Sequence, residues 1–289
     1  MLQVKRVAFF LMLVLAQGLY AQSFNSYQKA PAPGTIQFGP DLFIDRTEIS
    51  NAAWLEYRMW LKSIFGEDSK EFRSAQSDTL VWSKYNRCLA DFGKVYSRHP
   101  AYRDFPVVGV TQKQAEEFSK WRSDRVMEGY LIKFKIILRQ AQDKDNYFTI
   151  ERYFNGKYLD FKPDPRIKYY PEYKLPSESD FKQALEHNAK LKGKYKEQPI
   201  LDVNPCDTQR GVRIKDPVAP VTVIAKGKKK NHIDLLRGNV AEWTSESGVC
   251  FGLSWIHLHE DLQNGDLLQV KASQAWLGFR NVCVWKEWK

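Results

Sequence analysis

The side chains best suited to metal chemistry lie in residues 257 to 261. His257 and His259 stand two apart, so on an extended segment both imidazoles project to one side, and Glu260 and Asp261 follow directly. Such a set suits a borderline transition metal; the plainer reading is an exposed strand end that carries two incidental histidines. A second reactive set is the 4 cysteines, Cys88, Cys206, Cys250 and Cys283. None has Cys-x-x-Cys spacing, which removes the close ligand pairs of a structural zinc site. In an oxidising compartment an even set allows three pairings. Cys250 and Cys283, in two β-like stretches, form the favoured bridge, with free buried thiols as the alternative.

Lys226-Gly227-Lys228-Lys229-Lys230 is the densest positive run. Lys228, Lys229 and Lys230 are candidate contacts to phosphate or carboxylate groups, in a salt-sensitive manner, against the alternative of a solvated loop. No Gly-x-Ser-x-Gly elbow, phosphate-binding glycine loop or His-Glu-x-x-His motif occurs. Ordinary hydrolase chemistry therefore has no support, and no catalytic residue is assigned.

These groups sit in a chain of 289 residues with 44 Lys and Arg against 34 Asp and Glu, a net charge of +10. Lys5 and Arg6, the apolar stretch Val7 to Leu15 and the ending Leu19-Tyr20-Ala21 predict a cleavable secretory signal over residues 1–21, and hence a periplasmic or secreted protein. No cysteine near that junction offers lipid attachment. A linker over 22–36 and one domain over 37–289, with an insertion at about 126–172, account for the rest. No later segment approaches the roughly 20 apolar residues of a membrane span. Export turns the basic charge away from nucleic acid and toward an anionic envelope polymer, a glycan or an acidic protein partner.

Caps and apolar spacing place three helices. The first opens at Ser50 and aligns Trp54, Tyr57, Leu61 and Phe65. Thr111 with Gln114 makes a capping box ahead of Ala115 and Phe118, and Ser177 with Asp180 opens a helix that turns Phe181, Ala184 and Leu185 inward. A short extended piece precedes each helix. The insertion, with Phe134 to Leu138 and Tyr147 to Ile150, suggests an added hairpin or arm. After Leu201 the pattern changes to loops rich in Pro, Asn, Asp and Gly.

The segment Leu236-Arg237-Gly238-Asn239-Val240-Ala241-Glu242-Trp243, followed by Gly252-Leu253-Ser254-Trp255 and Gly278-Phe279-Arg280, resembles the core of formylglycine-generating enzymes and their sulfatase-modifying-factor relatives. The three strand-to-helix joints, which include Asp45 to Asn51, match that family in order. The resemblance implies an α+β protein of the sulfatase-modifying-factor fold, C-type-lectin-like, with low regular secondary structure. Trp121 to Val126 is similar to the gliding-motility and type 9 secretion branch.

The enzymes of that family place two copper-binding thiolates at positions that here hold His257 and Leu262. Leucine offers no ligand, so the resemblance implies a non-catalytic member, a pseudoenzyme. It also implies a calcium site built from Gly238, Val240 and Glu242, although Leu235 stands where the family has Asn or Asp. Trp243, Trp255 and Trp276 are expected to pack beneath the motif, with Trp255 also a candidate for stacking on a ligand. Arg280 is expected to be structural. The function expected is an exported binding or scaffold protein with an envelope partner, in a bacterial envelope, secretion or gliding assembly, contacting it through the insertion. The alternatives are a metal-dependent oxidase or oxygenase of the same family and a carbohydrate-binding module.

Overall fold

The computed structural model describes residues 31–191, 231–256 and 267–289. Two small sheets carry the motifs. The first begins with β1 (Thr35–Gly39) and β2 (Leu42–Asp45), joined by a tight antiparallel turn at which Asp41 takes a left-handed φ of 53°. Its spatial order is β1-β2-β8-β3, with β3 at Tyr169–Lys174 and β8 at Val282–Glu287, all neighbours antiparallel. The second sheet runs β6-β5-β4-β7 through β4 (Ala241–Trp243), β5 (Val249–Phe251), β6 (Leu267–Gln269) and β7 (Leu277–Gly278), with β4 and β7 parallel. The fold is α+β, as expected. Strand begins at Thr35 and Ala32 is already buried, so ordered structure starts inside the expected linker.

The three expected helices are present with their caps. The Ser50 side chain accepts from Ala53 N at the start of α1 (Asn51–Phe65), and its Trp54, Tyr57 and Leu61 are buried. Between this helix and the next long one lie three short α-helices, α2 (Lys70–Ser74), α3 (Val81–Tyr85) and α4 (Phe92–Val95), with single 3-10 turns at Arg87–Leu89 and Pro100–Tyr102. Capping boxes open α5 (Gln112–Lys133) and α7 (Glu178–Lys190), as Thr111 with Gln114 and Ser177 with Asp180 predict. In the main core Trp54, Tyr57 and Leu61 meet Ala115 and Phe118 of α5 and Trp243, Leu277 and Phe279. Among the described residues no helix is long and apolar enough to cross a membrane.

The insertion is neither a hairpin nor an arm. α5 continues through it to Lys133, because Met127, Tyr130 and Leu131 bury one continuous face. It stops where Lys135 adopts φ 57° and Ile136 N reaches back to Leu131 O. Phe134 to Leu138 then forms no strand, and the chain folds back through α6 (Ile150–Phe154). The resulting lobe has its own core of Met127, Leu131, Phe148, Tyr153, Tyr158 and Ile167, against which Trp285 and Trp288 from the far end of β8 pack. Two successive side chains of α5 hold it. Asp124 Oδ1 accepts from Ile150 N at 2.8 Å, which caps α6, and the Arg125 guanidinium donates to Phe148 O.

Candidate functional site

The motif residues form a buried polar centre. Leu235, Gly238 and Asn239 take φ values of 56°, 87° and 58°, so the chain turns sharply where glycine is the unstrained residue. That turn directs the Asn239 amide at Glu48, with Nδ2 to Oε1 at 3.0 Å, and brings its carbonyl to Trp255 N. Behind it Arg280 is wholly buried. Its Nε and Nη2 each donate to one oxygen of Glu242 at 2.6 Å, and its remaining donors reach the carbonyls of Asp45, Arg46, Asp234 and Leu235. The five donors of a guanidinium are therefore all engaged, which is what removal of a full charge from water demands.

Two further pairs extend this centre. Arg122 grips both oxygens of Asp45 at 2.6 and 2.8 Å and lies over the Tyr173 ring, and Arg46 meets Asp234 at 2.8 Å. Glu48 is the exception among the carboxylates, with one oxygen on Asn239 and the other without any hydrogen bond. Burial pushes its pKa up to about 8, against the opposing pull of Arg280. Burial raises the pKa of Glu242 as well, opposed by the charge of Arg280 and by the hydrogen bonds it donates to both oxygens.

This geometry decides whether the expected calcium site fits. A calcium ion needs six to eight oxygen ligands in a hard shell. Both oxygens of Glu242 are taken by Arg280, and a guanidinium beside them repels a divalent cation. Gly238 and Val240 lie in the same loop, but with the Glu242 carboxylate engaged by Arg280 the expected ligand set does not fit calcium. Glu242 is a counter-ion, and the expectation of a buried structural Arg280 holds.

The Cys250 to Cys283 bridge is also corrected. Both thiols are free and wholly buried, on different sheets: Cys250 opposes Trp243 and Leu268, whereas Cys283 opposes Phe43 and Tyr173. Alternation within each strand turns them into two separate cores. Burial raises the Cys250 pKa to about 12 and lifts Cys283 further, so neither offers a thiolate near neutral pH. Trp255 is 1% exposed, stacked on Trp82 and edged by Tyr85, with its ring N–H directed at Ala275 O. It is core, and not a ligand platform. His257, His259, Leu262, Cys206, Lys228, Lys229 and Lys230 lie outside the described residues.

Sequence reasoning did not find the surface concavities. A groove of about 890 Å³ runs between α5, the lobe and β3, with Lys120, Lys157, Lys174, Tyr170 and Trp288 on its walls. A second, of about 640 Å³, lies where α1, α2 and α5 meet the lobe. Lys120, Asp124, Tyr147 and Thr149 line both, so the lobe crosses α5 between them. The available signal was aromatic excess beyond the buried faces of two helices, with Trp60 and Phe65 on α1 and Trp121 on α5 only partly buried against the core.

Strand-to-helix joints leading into a Gly-Asn turn clamped by a buried Arg–Glu pair define a domain built around its loops. Over residues 4–285 the chain matches the model of the sulfatase-modifying factor enzyme 1-like domain, and it belongs to that family. Its fold is accordingly the α+β, C-type-lectin-like one expected. No curated protein matches it in sequence. Among solved structures it is similar to that titled "Crystal Structure of CarF", with TM-score 0.44 and 16% identity over 84% of this chain and 86% of that chain. It is also similar to "Treponema denticola variable protein 1", with TM-score 0.39 and 15% identity over 84% of each.

Proposed function

We propose that the protein is a non-catalytic binding or scaffold member of its family, exported and working in a bacterial envelope, secretion or gliding assembly. The observation that carries the reading is the placement of its thiols. None occurs between Ser254 and Phe279, and Cys250 and Cys283 on either side are buried in separate cores, protonated and unable to converge on a soft metal ion. What the fold offers instead is a lobe with its own core. It is docked through Asp124 and Arg125, and its outer turn carries Leu138, 66% exposed, between Lys135 and Arg139. A large exposed aliphatic side chain flanked by basic residues suits an acidic protein partner better than bulk water.

The test joins elemental analysis with partner capture. Purified protein loaded with copper(I) is expected to retain no stoichiometric copper, and crosslinking from residue 138 in envelope extracts is expected to yield one dominant partner. The Leu138→Asp variant is expected to lose that partner. Stoichiometric copper together with oxidation of a cysteine-containing peptide sinks the reading, as does a native protein that is always recovered alone.

A further inference from the structure

The groove of about 640 Å³ carries chemistry that the scaffold role does not use. Its walls are aromatic. Trp60, Phe65, Trp121 and Tyr147 are all half-buried, and their rings meet edge-on or tilted: Trp60 with Tyr147 at 5.8 Å, Phe65 with Tyr147 at 5.2 Å and Trp60 with Trp121 at 6.3 Å. Rings so disposed form a corner and not a flat stack, with portions of four aromatic surfaces facing one cavity.

The polar lining is mixed and balanced. Lys70, Lys113 and Lys120 stand against Glu71, Glu117 and Asp124. Of these only Asp124 is buried, and it is engaged on Ile150 N. Among the described residues the two exposed acids and three lysines form no ion pair with one another or with neighbours. Donors and acceptors are thus presented side by side and unspent, without the single-sign field that an anionic polymer would need.

Aromatic faces for apolar C–H surfaces, carboxylates and ammonium groups for hydroxyls, and overall charge balance are together the requirements of a neutral sugar chain. The walls are helices α1, α2 and α5 with the loop at 147–149, so the groove presents no strand edge to which an extended peptide would add. We infer that this groove binds a neutral oligosaccharide, with Trp60 and Tyr147 packing on sugar faces and Glu117, Glu71 and Lys113 taking hydroxyls. The inference goes beyond the scaffold reading and is independent of it, since Leu138 lies outside the groove and loss of a protein partner leaves this site intact.

The test is titration of the full mature chain with cellohexaose, chitohexaose, maltohexaose and mannohexaose, with an alginate hexamer as the acidic counterpart. The readouts are tryptophan fluorescence and calorimetry. At least one neutral hexamer is expected to bind, and raising salt to about 0.5 M is expected to change the affinity by less than about twofold. Trp60→Ala is expected to weaken binding by about tenfold or more, the loss of one well-packed contact. Because that change also trims the rim of the core, Glu117→Gln and Lys113→Met at exposed positions serve as second variants, each expected to weaken binding about threefold to tenfold with an unchanged melting temperature. Absence of binding by every neutral hexamer overturns the inference. So does binding that survives the two surface variants, or binding confined to alginate and abolished by salt.

Discussion

Glu242 and Arg280 form a two-point ion pair from which water is excluded, both contacts at 2.6 Å and both side chains almost fully buried. They are 38 residues apart, one on β4 and the other just after β7, whose parallel pairing sets them side by side. The pair joins the Gly-Asn turn to the Gly-Phe-Arg segment.

Breaking the pair should be severe. Glu242→Ala leaves a buried guanidinium without its counter-charge and is expected to cost about 3–5 kcal/mol, or roughly 10 °C in melting temperature. The double variant Glu242→Leu with Arg280→Met is expected to cost less than the sum of the single changes in a thermal-melt cycle. Millimolar calcium is expected to leave the parent's melting temperature unchanged within about 1 °C, because both oxygens of Glu242 are engaged by Arg280; a concentration-dependent rise of several degrees would refute this.

Glu48 predicts a slope in stability against pH. Its folded pKa lies near 8 and its ordinary value is 4.5, so between those values the folded state holds a proton that the unfolded chain has released. The stabilisation is complete below about 4.5 and is lost as pH rises through about 8. Glu48→Gln, which keeps an acceptor for Asn239, removes that slope. Urea midpoints at pH 5 and pH 8 should show the variant gaining on the parent as pH rises, and parallel losses would disprove the assignment.

Thiol accessibility separates the cysteines. Cys88 is exposed at a short helical turn and is expected to react with a disulfide reagent within minutes in native buffer. Single Cys250→Ser and Cys283→Ser variants should leave the native labelling rate unchanged, and under denaturation each should reduce the thiol count by one. A native bridge between the two would instead show as two missing thiols under denaturation.

Much of this architecture was legible in the chain, because local signals and tertiary packing agree. Ser50, Thr111 and Ser177 cap helices in the structure for the reason visible in sequence, a side-chain oxygen three residues ahead of an orphan amide. The short helices α2 to α4 were not legible, since four or five residues cannot display an apolar period. The lobe was misread because Phe134 to Leu138 has the composition of a strand, whereas the burial of Met127, Tyr130 and Leu131 had already committed the preceding turns to helix. The cysteine pairing failed for a different reason. A β pattern shows which residues share a face, but not which sheet a strand joins.

Two glycines of the same chain should respond in opposite directions to alanine. A Cβ on Gly278 would stand 2.8 Å from Val107 O and 3.1 Å from Val240 Cγ2, so backbone must move, and a loss of about 1–3 kcal/mol is expected. Gly129, within α5, has nothing within 4 Å of its Cβ position. Alanine there is expected to stabilise by about 0.5–1 kcal/mol through helix propensity. Denaturant melts of the two variants decide the matter, and a neutral Gly278→Ala would remove close packing as the reason for that glycine.

The position of β8 has a consequence for how the molecule comes into being. It lies between β2 and β3, and its far end supplies Trp285 and Trp288 to the lobe. Ribosomal synthesis reaches this segment long after residues 35–45 have emerged, so the first sheet has no centre and the lobe no floor until translation of residues 282–288. Closing a loop of that length is slow, and high contact order means late cooperative assembly. The nascent polypeptide therefore completes its first sheet and the floor of its lobe only after residues 282–288 have been made.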